Sequence, residues 1–402
     1  MINIAKPGSP SGTAQFNWPR PKCLRFVLIA AATGILAQTA HAQDQTVDLL
    51  RTLSEAPGPS GFEEPVRKIM VHELSPYADE ITYDGLGSVI ARQGDHGPRI
   101  MLDAHMDEVG GMIRHVTHDG FLSMQMLGGV FDQALPDQKW IIIGSKGYVH
   151  AVTGLRDIHG SSPDERGKIF PADTIFLDIG AKSEADVAAM GIEPGDPVAP
   201  DTSFAILNGT QRYVGKAWDD RVGCAVLVEA IRRLKASGHP NQIFFAATTQ
   251  EEIGLRGAHT AADVIKPDIG IAIEGGVTGD TPGRTPFNSQ VKLGAGPGLF
   301  LFDRDALPGR RLVAMTRDTA KEKSVPLQLD LVQGYGDDSA EIQKSSGGVP
   351  TVNLVVPVRY THAHYGVMDR ADFDGMVDLV VAMLQKLDAK TVTRLRDFTP
   401  EP

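Results

Sequence analysis

The chain has 402 residues, 42% of them hydrophobic and 22% charged, enough for one large domain with a smaller one attached. Its net charge is −11, and it falls to near −15 without residues 1–42, which hold Lys6, Arg20, Lys22 and Arg25 but none of the 50 acidic residues. So acidic a surface argues against nucleic acid or anionic membrane as partner, and Cys224 alone would remain, which excludes an intrachain disulfide.

Residues 1–42 read as a secretory signal peptide. A basic stretch is followed by a short apolar run (FVLIAAATGILA, 26–37) and by Ala40-His41-Ala42, small residues suited to cleavage. The run is too short to span a bilayer. A periplasmic or secreted protein is expected, with no membrane attachment after cleavage.

Helical patterns over 46–54 and 63–74 flank the loop Pro57-Gly58-Pro59-Ser60-Gly61-Phe62. A short strand (88–92) and a buried one, RIMLDA (99–104), come next. Residues 113–211 change character: short alternating runs at 140–143, 147–152 and 175–179, broken by Gly, Pro and Asp, predict a small inserted β-domain. From Gly215 an α/β rhythm resumes. It has helices at 221–237, 310–323, 338–345 and 371–387, and apolar strands at 242–248, 268–273 and 351–356. Near-continuous apolar strands alternating with helices predict an α/β fold, a mixed sheet covered on both faces. The expected division is 43–112 and 212–390 for the main domain, 113–211 for the insert, and 391–402 for a loose tail.

Four strand ends carry acids or histidines. His105 and Asp107 follow RIMLDA, Glu251 and Glu252 follow QIFFAATTQ, Glu274 ends DIGIAI, and His362 follows TVNLVVPVRYT. Sites in open α/β sheets form at such carboxyl ends. Asp219-Asp220 enters just before a helix, where Asp220 reads equally as an N-cap. His364 is a rival for His362, and each piece alone is weak. Together they supply what two divalent ions need: a bridging carboxylate, terminal His and carboxylate ligands, and an unliganded carboxylate to move the proton of the attacking water.

The motifs LDAHMDEVGGMI, GKAWDDRVGCAVLVEAI, TTQEEIGLRGA, Gly279-Asp280, VPVRYTHA and DIGAKSEADVAAMGIEPGDPV resemble those of the glutamyl, deblocking and tetrahedral (TET) aminopeptidases of metallopeptidase clan MH. The resemblance covers nearly all of residues 45–390. It implies a zinc-peptidase-type (phosphorylase/hydrolase-like) fold with an inserted barrel-like dimerisation domain. It also implies two divalent ions, zinc first with cobalt or manganese as alternatives. Asp219 would bridge them, with His105 and Glu274 on one ion and Glu252 and His362 on the other. Glu251 would be the general base, Asp107 would orient His105, and a metal-bridging hydroxide would attack the first carbonyl of a peptide. Homo-oligomers, dimers or dodecamers, are implied as well. The family often has aspartate where this chain has Glu274, which adds a methylene and bears on the preferred ion.

Rival readings are a carboxypeptidase or deacylase of the same clan, an endoglucanase, and a non-enzymatic peptide or metal binder. The long gap from His105 to Asp219 disfavours the first, since those relatives insert their second domain after the paired glutamates. Sequence-adjacent Glu251 and Glu252 could not readily flank a glycosidic bond, which disfavours the second. A full ligand set disfavours the third. The pocket for the first substrate residue is expected from 294–302 and 334–339.

Overall fold

The structure is a computed structural model, and it describes residues 44–283 and 290–399. The expected signal peptide, 1–42, lies outside them. Among the described residues no helix is long and apolar enough to cross a membrane.

Two helices open the domain, α1 (Gln45–Glu55) and α2 (Glu64–Leu74), followed by strands β1 (Glu80–Tyr83), β2 (Val89–Gln93) and β3 (Arg99–His105). Six strands then form a separate layer: β4 (Gly110–Val116), β5 (Leu122–Leu127), β6 (Gln138–Gly144), β7 (Gly147–Thr153), β8 (Phe176–Asp178) and, after helix α3 (Glu184–Met190), β9 (Pro197–Pro200). The chain returns through β10 (Ala205–Ile206), β11 (Arg212–Gly215), α4 (Trp218–Ser237), β12 (Gln242–Thr248), α5 (Arg256–Ile265) and β13 (Ile269–Val277). It ends with β14 (Gly298–Phe302), α6 (Arg310–Glu322), β15 (Gln328–Leu331), α7 (Ser339–Lys344), β16 (Thr351–Arg359), β17 (Gly366–Asp369), α8 (Arg370–Lys386) and α9 (Ala389–Leu395).

The main sheet runs β1-β2-β12-β3-β13-β16-β17-β11-β10, with β14 and β15 attached beside β16. Its centre, β12-β3-β13-β16, is wholly parallel. Successive side chains alternate between two cores, as the period of a strand requires. Ile100, Leu102, Ile243 and Phe245 join the larger core under α1, α4 and α8, whereas Met101, Phe244 and Ala246 meet Ala258, Ala262 and Ile342 of α5 and α7. Each fully buried Val or Leu contributes about 1.5–3 kcal/mol. The chain visits β3, then β12 on one side and β13 on the other, so strand order reverses around β3. A crevice opens at that point.

The six strands β4-β5-β8-β7-β6-β9 close into a barrel around Ile113, Leu122, Met124, Trp140, Ile142, Leu177 and Val198. The α/β fold with a small inserted barrel is therefore as the sequence predicts. Its limits differ by a few residues: the barrel begins at Gly110, and β10, read as part of the insert, pairs with β11 in the main sheet. The predicted loose tail also needs correction. Residues 389–395 are helical because Asp388 accepts the Thr391 amide at 2.7 Å and Val392 and Leu395 are buried.

Candidate metal centre

All seven residues singled out from the sequence converge on the carboxyl ends of the central strands. His105 closes β3, Glu274 lies within β13, and Glu251 and Glu252 sit in the turn between β12 and α5. His362 follows β16 with φ of 56°. Asp219 and Asp220 precede the regular part of α4, their φ/ψ values non-helical. Gly275 makes this approach possible, since a Cβ there would stand 2.8 Å from the Asp219 Cα.

Asp219 lies between the two histidines: its Oδ1 is 3.3 Å from His105 Nε2 and its Oδ2 3.3 Å from His362 Nε2. Around His105 Nε2 stand Glu274 Oε2 at 3.6 Å and Glu251 Oε2 at 3.7 Å; Glu252 Oε2 is 3.7 Å from His362 Nε2. The donors fall into two groups, each with its atoms within 4.8 Å of one another: His105, Asp220 and Glu274, and Asp219, Glu252 and His362. Asp220 is also tied to α4. Its Oδ1 caps the helix by accepting the Gly223 amide at 3.0 Å, while its buried Oδ2 has no hydrogen-bond partner.

Asp107 ties the centre together. Its carboxylate accepts the amides of Glu251 (3.0 Å) and Glu252 (3.1 Å) and the Ser60 hydroxyl (2.6 Å), and Oδ1 is 3.4 Å from His105 Nδ1. The Asp107 carboxylate therefore fixes the glutamate turn and the loop before α2, while its backbone carbonyl, 3.1 Å from Nδ1, is the hydrogen-bond partner of the His105 ring.

The electrostatics are those of crowded carboxylates. Burial, reinforced by neighbouring acids, holds Glu251 well above the usual carboxylate range, lifts Glu252 to about 8 and lifts Glu274 to about 7. Burial alone would lower the two histidines, but Glu251, Asp107 and Asp219 around His105, and Glu252 and Asp219 beside His362, raise both, His362 to about 10. Glu252 Oε1 and Glu274 Oε1 are also buried without a hydrogen-bond partner. Orphaned buried oxygens opposite imidazole nitrogens fit divalent cations, because a cation satisfies them and removes the mutual repulsion.

The family model described as M42 glutamyl aminopeptidase matches residues 87–379. This chain belongs to that family. It is, accordingly, a metal-dependent aminopeptidase. A lysyl aminopeptidase of Pyrococcus furiosus is 33% identical over 357 residues, covering 88% of this chain and 99% of the relative. Among solved structures, a TET aminopeptidase from a marine sediment archaeon of the Thaumarchaeota is 40% identical with a TM-score of 0.85, covering 88% of this chain and 99% of that one. The Pyrococcus horikoshii TET1 peptidase, which can assemble into a tetrahedron or a large octahedral shell, is 29% identical with a TM-score of 0.78, covering 85% and 100%.

Around this M42 site the structure separates the two candidate histidines. His364 stays outside it, packed edge-on against Trp140 of the barrel with ring centroids 4.3 Å apart, and burial lowers it to about 4. Asp280 forms a bidentate ion pair with Arg359, tying the end of β16 to the segment after β13. The cleft beside the centre, about 230 Å³, is lined by Leu255, Arg304, Gly334, Tyr335 and Gly336 as well as by the acids. The predicted stretch 294–302 does not line it, because β14 is occupied by β15 and β16 and Phe300 packs with Val291, Val332 and Val355. Gly334, Tyr335 and Gly336 fall within the other expected stretch, 334–339, whereas Ser60 and Arg304 carried no signal of their own in the sequence.

Proposed function

We propose that the chain releases N-terminal residues from peptides by two-metal hydrolysis, with zinc as the first-choice ion and cobalt or manganese able to substitute. The observation that carries this reading is Asp219, whose two oxygens face two histidines delivered by different strands. His105 and Glu274 would hold one ion, Glu252 and His362 the other, and Asp219 both. Bound there, the pair would polarise the scissile carbonyl and acidify a shared water.

Glu251 would take that water's proton and pass it to the leaving amine. Its amide is held by Asp107, and its carboxylate lies 3.7 Å from His105 Nε2, at the edge of the cleft. Asp107 keeps the imidazole of His105 in the orientation that turns Nε2 towards Asp219. Peptides would enter between Tyr335 and Arg304 on one side and Leu255 on the other.

Homo-oligomers, dimers or dodecamers, are supported by the Pyrococcus horikoshii TET1 peptidase, which can assemble into a tetrahedron or a large octahedral shell. Export, to the periplasm or out of the cell, is the reading of residues 1–42 and is tested by N-terminal sequencing of the chain from cell fractions and medium. The decisive experiment strips the protein with a chelator and reloads it with one defined metal before presenting a panel of aminoacyl substrates. Turnover that survives complete stripping would refute the metal reading.

A further inference from the structure

We infer that the inserted barrel is a positioning part of the metal centre: its Gly128–Gly129 turn orients His362 and confines Glu252. The inference rests on the two-metal reading above and adds residues that no ligand motif contains.

A histidine that binds a cation through Nε2 must keep its proton on Nδ1, and that proton needs an acceptor. For His362 the acceptor is the Gly129 carbonyl, 2.7 Å from Nδ1. This leaves the Nε2 lone pair facing Asp219 Oδ2 and Glu252 Oε2. Gly128, one residue earlier, runs at φ of +86°, and a Cβ on it would stand 2.9 Å from Val109 Cγ1 and 3.2 Å from Glu252 Oε2. The backbone of this turn therefore passes directly over the Glu252 carboxylate, at a distance only glycine permits.

The same barrel grips the His362 loop from its other side. Trp140 packs on His364, and Thr202, just beyond β9, donates its hydroxyl to the His364 carbonyl at 2.8 Å. His362 is thus suspended between two barrel contacts while its own backbone takes the left-handed conformation. The His105 half has no such barrel contact: His105 and the Glu251 amide lean on Asp107 of the main domain, and Glu252 alone draws on both, its amide on Asp107 and its carboxylate against the Gly128 turn. The barrel turn thus touches His362 and Glu252 and neither His105 nor Glu274. A perturbation of the turn should therefore weaken one site and spare the other.

The experiment uses the mature chain, stripped and then titrated with Zn²⁺ by calorimetry against a competing chelator. Gly128→Val should leave one site at parental affinity and weaken the other about 10- to 100-fold, the usual effect of losing an outer partner of a ligand. Gly147→Val is the control: it also has positive φ (+116°) and lies in the barrel, but nothing stands within 4 Å of its Cβ position. It should bind both ions as the parent does. If Gly128→Val does not fold, Gly128→Ala replaces it with the same expected selectivity. Two parental affinities in the Gly128 variant, equal weakening of both sites, or the same loss in Gly147→Val would each overturn the inference. A parent that saturates with one ion would overturn the two-metal reading instead.

Discussion

Glu108→Ala tests how the loop under the metal centre is held. Glu108, Lys216 and Arg221 are all buried, with at most 1% exposure. Lys216 donates to both Glu108 oxygens, at 2.7 Å to Oε2, and to the Ala56 carbonyl at 3.0 Å. Glu108 Oε1 also accepts the Gly58 amide at 3.0 Å. Removing the carboxylate leaves the ammonium with one acceptor and the Gly58 amide with none. Breaking a buried pair in this way costs about 3–5 kcal/mol, and the orphaned amide adds about 1–3 kcal/mol. Relaxation limits the charge part, because Lys216 can shed its proton: the step from its unfolded pKa to pH 7 amounts to roughly 5 kcal/mol.

Lys216→Met should cost less, about 1–3 kcal/mol, because Glu108 keeps the Gly58 amide and Arg221 at 3.5 Å. A pH signature accompanies the difference. Burial already lowers Lys216 to about 8 against 10.5 unfolded. In that window the unfolded chain binds more protons, so the Lys216 contribution to stability rises with pH. Without Glu108 the rise should begin at lower pH. Urea unfolding of the stripped protein, from neutral pH to 10, reads both effects. A Glu108→Ala variant within 1 kcal/mol of the parent, or a Lys216→Met variant at least as damaged, would refute the reasoning.

Glu251→Gln should retain both ions by elemental analysis yet lose about 10²- to 10⁴-fold in rate, since only proton transfer is removed. Loss of an ion would instead make Glu251 a ligand. Chelation should lower the melting temperature, because ions that bind only the folded state add about 2.7 kcal/mol at a hundred times their dissociation constant; an unchanged melting point would contradict a preformed centre. Asp372 accepts the Gly294 and Gly296 amides and is raised by burial to about 6. The folded state therefore binds the extra proton between about 4 and 6, and this residue's contribution to stability falls as pH rises through that window. The stability of the parent relative to Asp372→Asn, followed by thermal unfolding across that range, should fall as pH rises; a difference that does not change with pH would refute it.

The strands and the ligand types were legible because both rest on local pattern. RIMLDAH and QIFFAAT read as buried strands, and the residues just past a buried parallel strand lie at one edge of the sheet. The helix α5 was not legible: it starts after Leu255, a left-handed residue with no capping side chain. The roles of His362 and His364 were also beyond local reading. They differ through Gly129, 233 positions away in sequence from His362, and through Trp140. Asp220 read as a cap and is one, yet its free oxygen faces His105 and Glu274, which only the tertiary arrangement reveals. Ser60 sat in a loop marked by Pro and Gly, and nothing local tied it to Asp107 forty-seven residues later.

Behind the proposed ligands stands a second row of acids, Asp103, Asp220 and Asp338, all fully buried. Asp103 and Asp338 lie against each other, which disfavours ionising both, and burial keeps all three above the usual carboxylate range. This second row therefore adds polar contacts near the centre, such as the Thr248 hydroxyl that donates to Asp338 at 2.9 Å, without adding its full charge. The front row, Asp219, Glu251, Glu252 and Glu274, carries four negative charges when ionised, and two divalent ions match them. Ionisation of the rear acids as well would leave the buried centre strongly anionic even when loaded. The depth at which the rear acids are buried thus bears directly on the charge that substrate meets at the front.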